Sequence, residues 1–259
     1  MRSPLNGFTR IITSRVGRMR KKARIRRLET RWRAKTKSDP RNAPISQNSM
    51  VMFESLSVWV LNLRARHDRL VNITSELDRM GFSNWKRIEA IHGKTAFPSS
   101  LPVFAGSIAC TLGHITALTQ GLAEEKLAVM VCEDDLEFKV EPGNLRKIIQ
   151  EFLDEPSLDV LSISGRARGG GFAISPSLRL VVGLVGRGCY LVKPHAVLPL
   201  IRAFSQGIEL LSSGKIAGKG DLSWRKLQES ELFFASATEK IAQQRGDYSD
   251  IEDSHLGPR

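Results

Sequence analysis

Apolar and polar positions change period repeatedly along the chain, and each change predicts an element. Ser57–Leu63 (Ser-Val-Trp-Val-Leu-Asn-Leu) is a short apolar run that predicts a first strand. Asp68–Met80 carries Leu70, Ile73, Leu77 and Met80 at helical spacing and stops at Gly81. Trp85–Ala90 predicts a second strand. Ile108–Glu124 predicts a helix with His114, Ala117 and Leu118 on neighbouring turns. Ala128–Cys132 and Leu158–Ile163 are strand-like, and Leu145–Leu153 and His195–Phe204 helix-like. Leu180–Leu184 and Cys189–Val192 read as a hairpin around Gly186–Gly188. Gly169–Gly171 reads as a flexible loop, because it lacks the spacing and strand-to-helix setting of a dinucleotide fingerprint. Strands alternating with helices predict an α/β fold with a largely parallel sheet and no internal repeat.

Charge divides the chain. Residues 1–41 hold 15 of the 39 Lys and Arg but only Glu29 and Asp39 among the acids, so the net charge of +12 resolves into +13 there and −1 over residues 42–259. The high pI belongs to a tail and not to a basic domain. Residues 1–49 therefore read as a basic tail, and 50–259 as one α/β domain with a sizeable core. Lys37–Pro44 reads as the linker. Met50 and Met52, just ahead of the break, offer an alternative start. Within the tail, Phe8, Ile12, Val16, Met19 and Ala23 share one helical face, whereas Ile25, Leu28 and Trp32 fall on the opposite one, so the stripe breaks near residue 24. Three readings are open: an interfacial helix on an anionic membrane surface, nonspecific nucleic-acid contact, and a solvated, disordered tail. A near-neutral main domain without a nucleic-acid motif argues against the second. No apolar run reaches membrane-spanning length and no secretory signal is visible. Cys110, Cys132 and Cys189 form no disulfide or zinc framework, which points to a reducing, cytoplasmic compartment.

The candidate chemistry lies where Leu127–Cys132 runs into Glu133-Asp134-Asp135. Three adjacent carboxylates at the carboxyl end of a strand occupy the place where open α/β sheets bind ligands. Side chains alternate along a strand, so Glu133 and Asp135 share a face from which Asp134 points away. Their mutual repulsion favours a hard cation, Mg²⁺ or Mn²⁺, which in turn binds phosphate. The plain alternative is an acidic turn. Arg66 and Arg69, just past the first strand, can pair with phosphate, or form a helix-start cluster with Asp68. Asp221, after Gly218-Lys219-Gly220, is the preferred general base, ahead of Glu229, Glu231 and Asp250; His255 is a further metal candidate.

An ordered set of motifs now becomes recognisable. Val60-Leu61-Asn62-Leu63-Arg64-Ala65-Arg66-His67-Asp68-Arg69, Trp85–Gly93, Gly106–His114, Glu133-Asp134-Asp135, Gly188-Cys189-Tyr190-Leu191-Val192 and the ending from Gln244 to Ile251 occur in the order of those of glycosyltransferase family 25. The chain resembles this lipooligosaccharide galactosyltransferase-like family over residues 56–251. It departs from the pattern at His92, Ser107, Ala109 and Gly113, where the family has Asp, an acid, Gly and Ser. The resemblance implies a GT-A-like nucleotide-sugar fold. It also implies inverting transfer of a hexose, galactose from UDP-galactose, to a glycan or lipid-linked oligosaccharide acceptor in lipopolysaccharide or capsule synthesis. The enzyme would then be cytoplasmic and peripheral at the inner membrane face. On the matching positions it implies nucleotide contacts at Asn62, Leu63, Arg66, Arg69, Ala90 and Asp134, metal ligands at Glu133 and Asp135, and a catalytic candidate at His114 beside Asp221. Taken alone, His114 on an apolar helix face is more often a packed core histidine.

Overall fold

The computed structural model describes residues 5–38, 53–97, 104–249 and 254–257, so most of the expected linker, Met50, Met52 and Asp250 lie outside the described residues, as do the side chains of Phe8, Ile12, Val16 and His255. In chain order the elements are α1 (Leu5–Ser38), β1 (Leu56–Leu63), α2 (His67–Met80), β2 (Lys86–Ala90), α3 (Gly93–Ala96), α4 (Ala105–Leu122), β3 (Ala128–Glu133), β4 (Leu136–Phe138) and α5 (Pro142–Asp154). There follow β5 (Val160–Ser162), β6 (Arg166–Ala167), β7 (Gly171–Ala173), β8 (Leu178–Val181), β9 (Leu184–Val185), β10 (Cys189–Val192) and α6 (Pro194–Ser212). The chain ends with α7 (Gly220–Ser223), α8 (Arg225–Ser230), β11 (Phe234–Ala237), β12 (Ala242–Gln244), β13 (Asp247–Ser249) and β14 (Ser254–Leu256).

Strand alternation builds three layers. Val58 and Val60 of β1, Met130 and Cys132 of β3 and Leu191 of β10 face a core shared with Ile73, Leu77 and Met80 of α2 and Ile149 and Phe152 of α5. Trp59 and Leu61 of β1, Val129 and Val131 of β3 and Tyr190 of β10 face the other core, with Leu118 of α4 and Leu200 and Phe204 of α6. Helix α2 shows how local sequence fixes an element. Its apolar stripe is buried, and Gly81 ends it at φ 86°, a left-handed conformation that glycine adopts without a Cβ penalty.

Among the described residues the central sheet has eight strands in the order β2-β1-β3-β10-β5-β11-β8-β7. Six run in one direction and only β10 and β8 oppose them, so the chain is α/β with a mostly parallel sheet. The expected hairpin is absent: β8 pairs with β11 and β7, while β10 inserts between β3 and β5. Periodicity finds both strands but says nothing of their partners. Gly171, expected in a loop, begins β7 and pairs with Val181. Cys132 and Cys189 face each other on β3 and β10 with Sγ atoms 3.1 Å apart, both free and buried. The hydrogen bond from Glu133 N to Gly188 O (2.7 Å) belongs to the next pair, so the cysteines occupy the closer, non-hydrogen-bonded position.

Helix α1 is continuous through residue 24, and its second apolar face is docked. Leu28 is 2% exposed within the first core, and Trp32 packs edge-on to Phe233 at 5.3 Å. Arg31 Nη1 donates to Gln228 O (3.1 Å), Arg24 pairs with Glu229 (3.2 Å), and Lys35 Nζ donates to Ser157 O (3.1 Å). Among the described residues no helix is long and apolar enough to cross a membrane. Leu28→Ala should therefore cost about 2–4 kcal/mol, read as a lowered urea midpoint. An unchanged midpoint would mean that the helix does not dock in solution.

Candidate active site

Because β1, β2 and β3 are parallel, their carboxyl ends meet at one edge of the sheet, where a cavity of about 260 Å³ opens. The acidic triplet forms one wall. Strand β3 ends at Glu133, and the chain turns through Asp134 and Asp135. The turn brings all three carboxylates to the cavity.

Each carboxylate has its own partners. Asp134 accepts from Asn62 Nδ2 (2.7 Å) and from Arg69 Nη1 (3.1 Å), which also lies 3.9 Å from Asp135 Oδ2. Glu133 Oε1 lies 3.2 Å from His114 Nε2, and Tyr190 Oη lies 3.1 Å from His114 Nδ1. An ionised carboxylate only accepts, so Nε2 carries the proton and Nδ1 accepts from the tyrosine hydroxyl. His114 is fully buried. Burial, with the Arg187 charge nearby, pushes it down to about 4. Burial alone would raise Glu133, but the His114 hydrogen bond and the Arg187 charge outweigh it and hold Glu133 below the usual carboxylate range. Asp135 goes the other way: burial and the neighbouring Glu133 charge push it up to about 7.

The residues expected from sequence divide into two groups. Leu63, Arg69, Ala90, Glu133, Asp134, Asp135 and Asp221 line the cavity. Asn62, Arg66 and His114 stand behind it. Asn62 also donates to Arg66 O (3.0 Å), and Arg66 forms a two-pronged pair with Asp68 at 3.0 and 2.9 Å. That pair is the helix-start cluster, and its hydrogen bond from Arg66 draws Asp68 down to about 2. Asp221 sits in α7, and the adjacent Gly220 packs on the Arg187 guanidinium so closely that any Cβ there would clash.

Two further residues belong to the site. Gln244 comes from β12, which pairs with β4 directly after the triplet. Its Nε2 donates to Glu133 Oε2 (2.9 Å) and approaches both Asp135 oxygens (3.3 and 3.4 Å). Arg187 precedes β10. Its Nη2 donates to Thr111 Oγ1 (3.3 Å), its guanidinium lies over Phe204 (4.8 Å), and its Nη1 has no hydrogen-bond partner among the described residues. The readable signals were a terminal Gln-Gln-Arg and a lone cation between two glycines.

The donor set fits a divalent ion. One polar atom already reaches both Glu133 and Asp135, and rotating the Gln244 amide would present oxygen there. Three oxygen donors suit Mg²⁺ or Mn²⁺. A second set shares Glu133: ligand atoms of Cys110, His114 and Glu133 lie within 4.8 Å of one another. Cys110 and His114 are four residues apart on one face of α4, a spacing legible in the sequence. Burial and the Glu133 charge raise the Cys110 thiol to about 12, so this mixed set would need a softer ion to deprotonate it.

No family model matches the chain, and no curated protein does. Among solved structures, the chain is similar to a protein from STIV (10% identity, TM-score 0.45, covering 78% of this chain and 92% of that one). It is also similar to mannose-1-phosphate geranyltransferase from Thermus thermophilus (11%, 0.41, 71% and 73%) and to mouse xyloside xylosyltransferase 1 (14%, 0.38, 71% and 72%). Likenesses this distant carry neither substrate nor mechanism, and the resemblance to glycosyltransferase family 25 rests on its motifs.

Proposed function

We propose that the chain is an inverting, metal-assisted glycosyltransferase with a GT-A-like site. It would move a hexose, galactose from UDP-galactose, to a glycan hydroxyl in lipopolysaccharide, lipooligosaccharide or capsule synthesis. The observation that carries this reading is the acidic triplet at the carboxyl end of β3, facing Arg69 and Arg187 across one cavity. Carboxylates for a cation beside guanidinium groups for phosphate suit a nucleoside diphosphate leaving group. A divalent ion held by Glu133, Asp135 and Gln244 would stabilise, as a Lewis acid, the charge that grows on that group. Arg69, fixed by Asp134, and Arg187, braced on Phe204, neutralise the diphosphate. The acceptor oxygen attacks the anomeric carbon as its bond to the diphosphate breaks, and the acceptor proton passes to the Asp221 carboxylate. His114 acts through Glu133 as a positioning residue.

Arg69→Ala should weaken UDP binding by about 1.5–3 kcal/mol, the worth of a charge-assisted hydrogen bond. Arg66→Ala should have a smaller effect, since Arg66 is tied to Asp68. Calorimetric titration with UDP checks both, and unchanged affinity in Arg69→Ala would count against a diphosphate at this wall.

The Gln244 amide between Glu133 and Asp135 favours one second reading, a nucleotide-sugar binder without turnover. Binding of UDP-sugars without UDP release, with Mn²⁺ present, would select it.

The proposed acceptor class would put the protein at an anionic membrane surface, approached through the cationic face of α1. Arg20, Lys22, Arg26 and Arg27 are all exposed there. Each cation near an anionic surface contributes on the order of 1 kcal/mol. Replacing these four by Gln should abolish salt-sensitive binding to phosphatidylserine vesicles while leaving the docked Leu28 face intact. Equal partitioning of both proteins would remove the anchor.

A further inference from the structure

Strands β5 and β11 are parallel neighbours that run with β1 and β3, so they end at the same edge of the sheet. A second cavity, of about 320 Å³, opens there. Its buried floor is Ser162, Ile163 and Ala242, with Ser164 and Ser236 beside them and Arg166, Glu239 and Lys240 on the rim. The Ser164 hydroxyl is buried and has no hydrogen-bond partner among the described residues.

Only a thin wall separates this cavity from the first. A Cβ on Gly188 would lie 2.9 Å from Ser164 Oγ and 3.1 Å from Gln244 Cγ, and one on Gly165 would lie 3.0 Å from Gly186 O. Gly165 and Ser164 line the second cavity, and Gly186 and Gln244 the first. The lining chemistry also differs. The first cavity carries four carboxylates, those of the triplet and Asp221, and guanidinium groups. The second carries three serine hydroxyls, neutral groups that both donate and accept as sugar hydroxyls do. Its rim holds two cations against one acid, which favours an anion. Lys240 Nζ is held toward Gln243 at 2.8 Å, and Arg166 has no ion pair among the described residues.

We propose that the second cavity is an acceptor subsite for a saccharide bearing an anionic group, phosphate or carboxylate, with Arg166 and Lys240 meeting the charge and the serines meeting the sugar. The proposal rests on the reading of the first cavity as the donor site. Both cavities open along this edge, so a sugar seated in the second would present a hydroxyl around the Gly188 wall and not through it.

The test is calorimetric titration of the full-length protein with glucose 6-phosphate, glucuronate, glucose and inorganic phosphate, each variant being titrated with UDP in parallel. Glucose 6-phosphate or glucuronate should bind at least about tenfold tighter than glucose and than inorganic phosphate, and whichever is tighter identifies the anion. The double variant Arg166→Ala/Lys240→Ala should lose that advantage, and Ser164→Ala should weaken the sugar anions but not inorganic phosphate. UDP affinity should be unchanged in all of them. Equal binding of glucose and the sugar anions, or an unaltered double variant, overturns the subsite. Absence of UDP binding with the sugar-anion pattern intact overturns the nucleotide reading instead and leaves an anionic-saccharide site standing.

Discussion

Asp135→Asn is expected to lower Mn²⁺-dependent UDP release from UDP-galactose by about 10²–10³-fold, the scale seen when one preorganised electrostatic contact to a transition state is removed. The substitution keeps the side chain's shape and its contact with Gln244 but removes the charge. Asp135 lies in a turn, touching Gln244 at 3.3 Å and Arg69 at 3.9 Å, so little else should depend on it. A urea midpoint close to that of wild type would show that the fold is intact. Chelation of the metal should reduce the wild-type protein to the level of the variant. Retention of wild-type Mn²⁺ dependence in Asp135→Asn would remove Asp135 from the ligand set and shift attention to Cys110, His114 and Glu133.

The largest loss of stability should come from Trp224→Ala. Trp224 is fully buried, edge-on to Tyr190 (5.4 Å) and Phe234 (5.3 Å), tilted against Phe204 (6.1 Å), and its Nε1 donates to Leu184 O (3.2 Å). Truncation leaves a cavity among three rings and removes one of the two hydrogen bonds to Leu184 O, the other coming from Gln228 Nε2 (3.2 Å), at a cost of about 3–5 kcal/mol. Trp224→Phe keeps much of the packing and should fall between the two. Trp224 also joins α7 to α8, so UDP affinity measured on the folded variant would report whether Asp221 and Gly220 still close the cavity. A loss below about 1 kcal/mol would mean that this aromatic cluster does not hold α7 in place.

The first half of the fold was legible because apolar runs, β1 and β3, alternate with helices carrying complete stripes. Leu70, Ile73, Leu77 and Met80 with Gly81 specify α2, and the apolar run into Glu133 specifies β3. Pairing was not legible. Cys189–Val192 reads as a strand, but nothing in it says that it runs between β3 and β5 against their direction. That inversion brings its amino end, and with it Arg187, to the carboxyl end of β3. Gln244 was hidden for a similar reason: its β12–β4 pairing spans 109 residues from Asp135. Arg69, Ala90 and Asp221 could be named from local motifs and loop setting, whereas Arg187 and Gln244 reach the site only through pairings that their own segments do not encode. In the tail, the sequence shows two apolar faces. Only the packing shows that Leu28 and Trp32 dock.

The facing pair Cys132 and Cys189 turns the strands behind the site into their own stopwatch. Both thiols are fully buried, and Cys132 directly precedes Glu133. A small alkylating reagent can reach them only while the core between the sheet and helices α2 and α5 is open. With the partly exposed Cys110 replaced by Ala, the labelling rate in native buffer therefore measures how often the core behind the candidate active site opens.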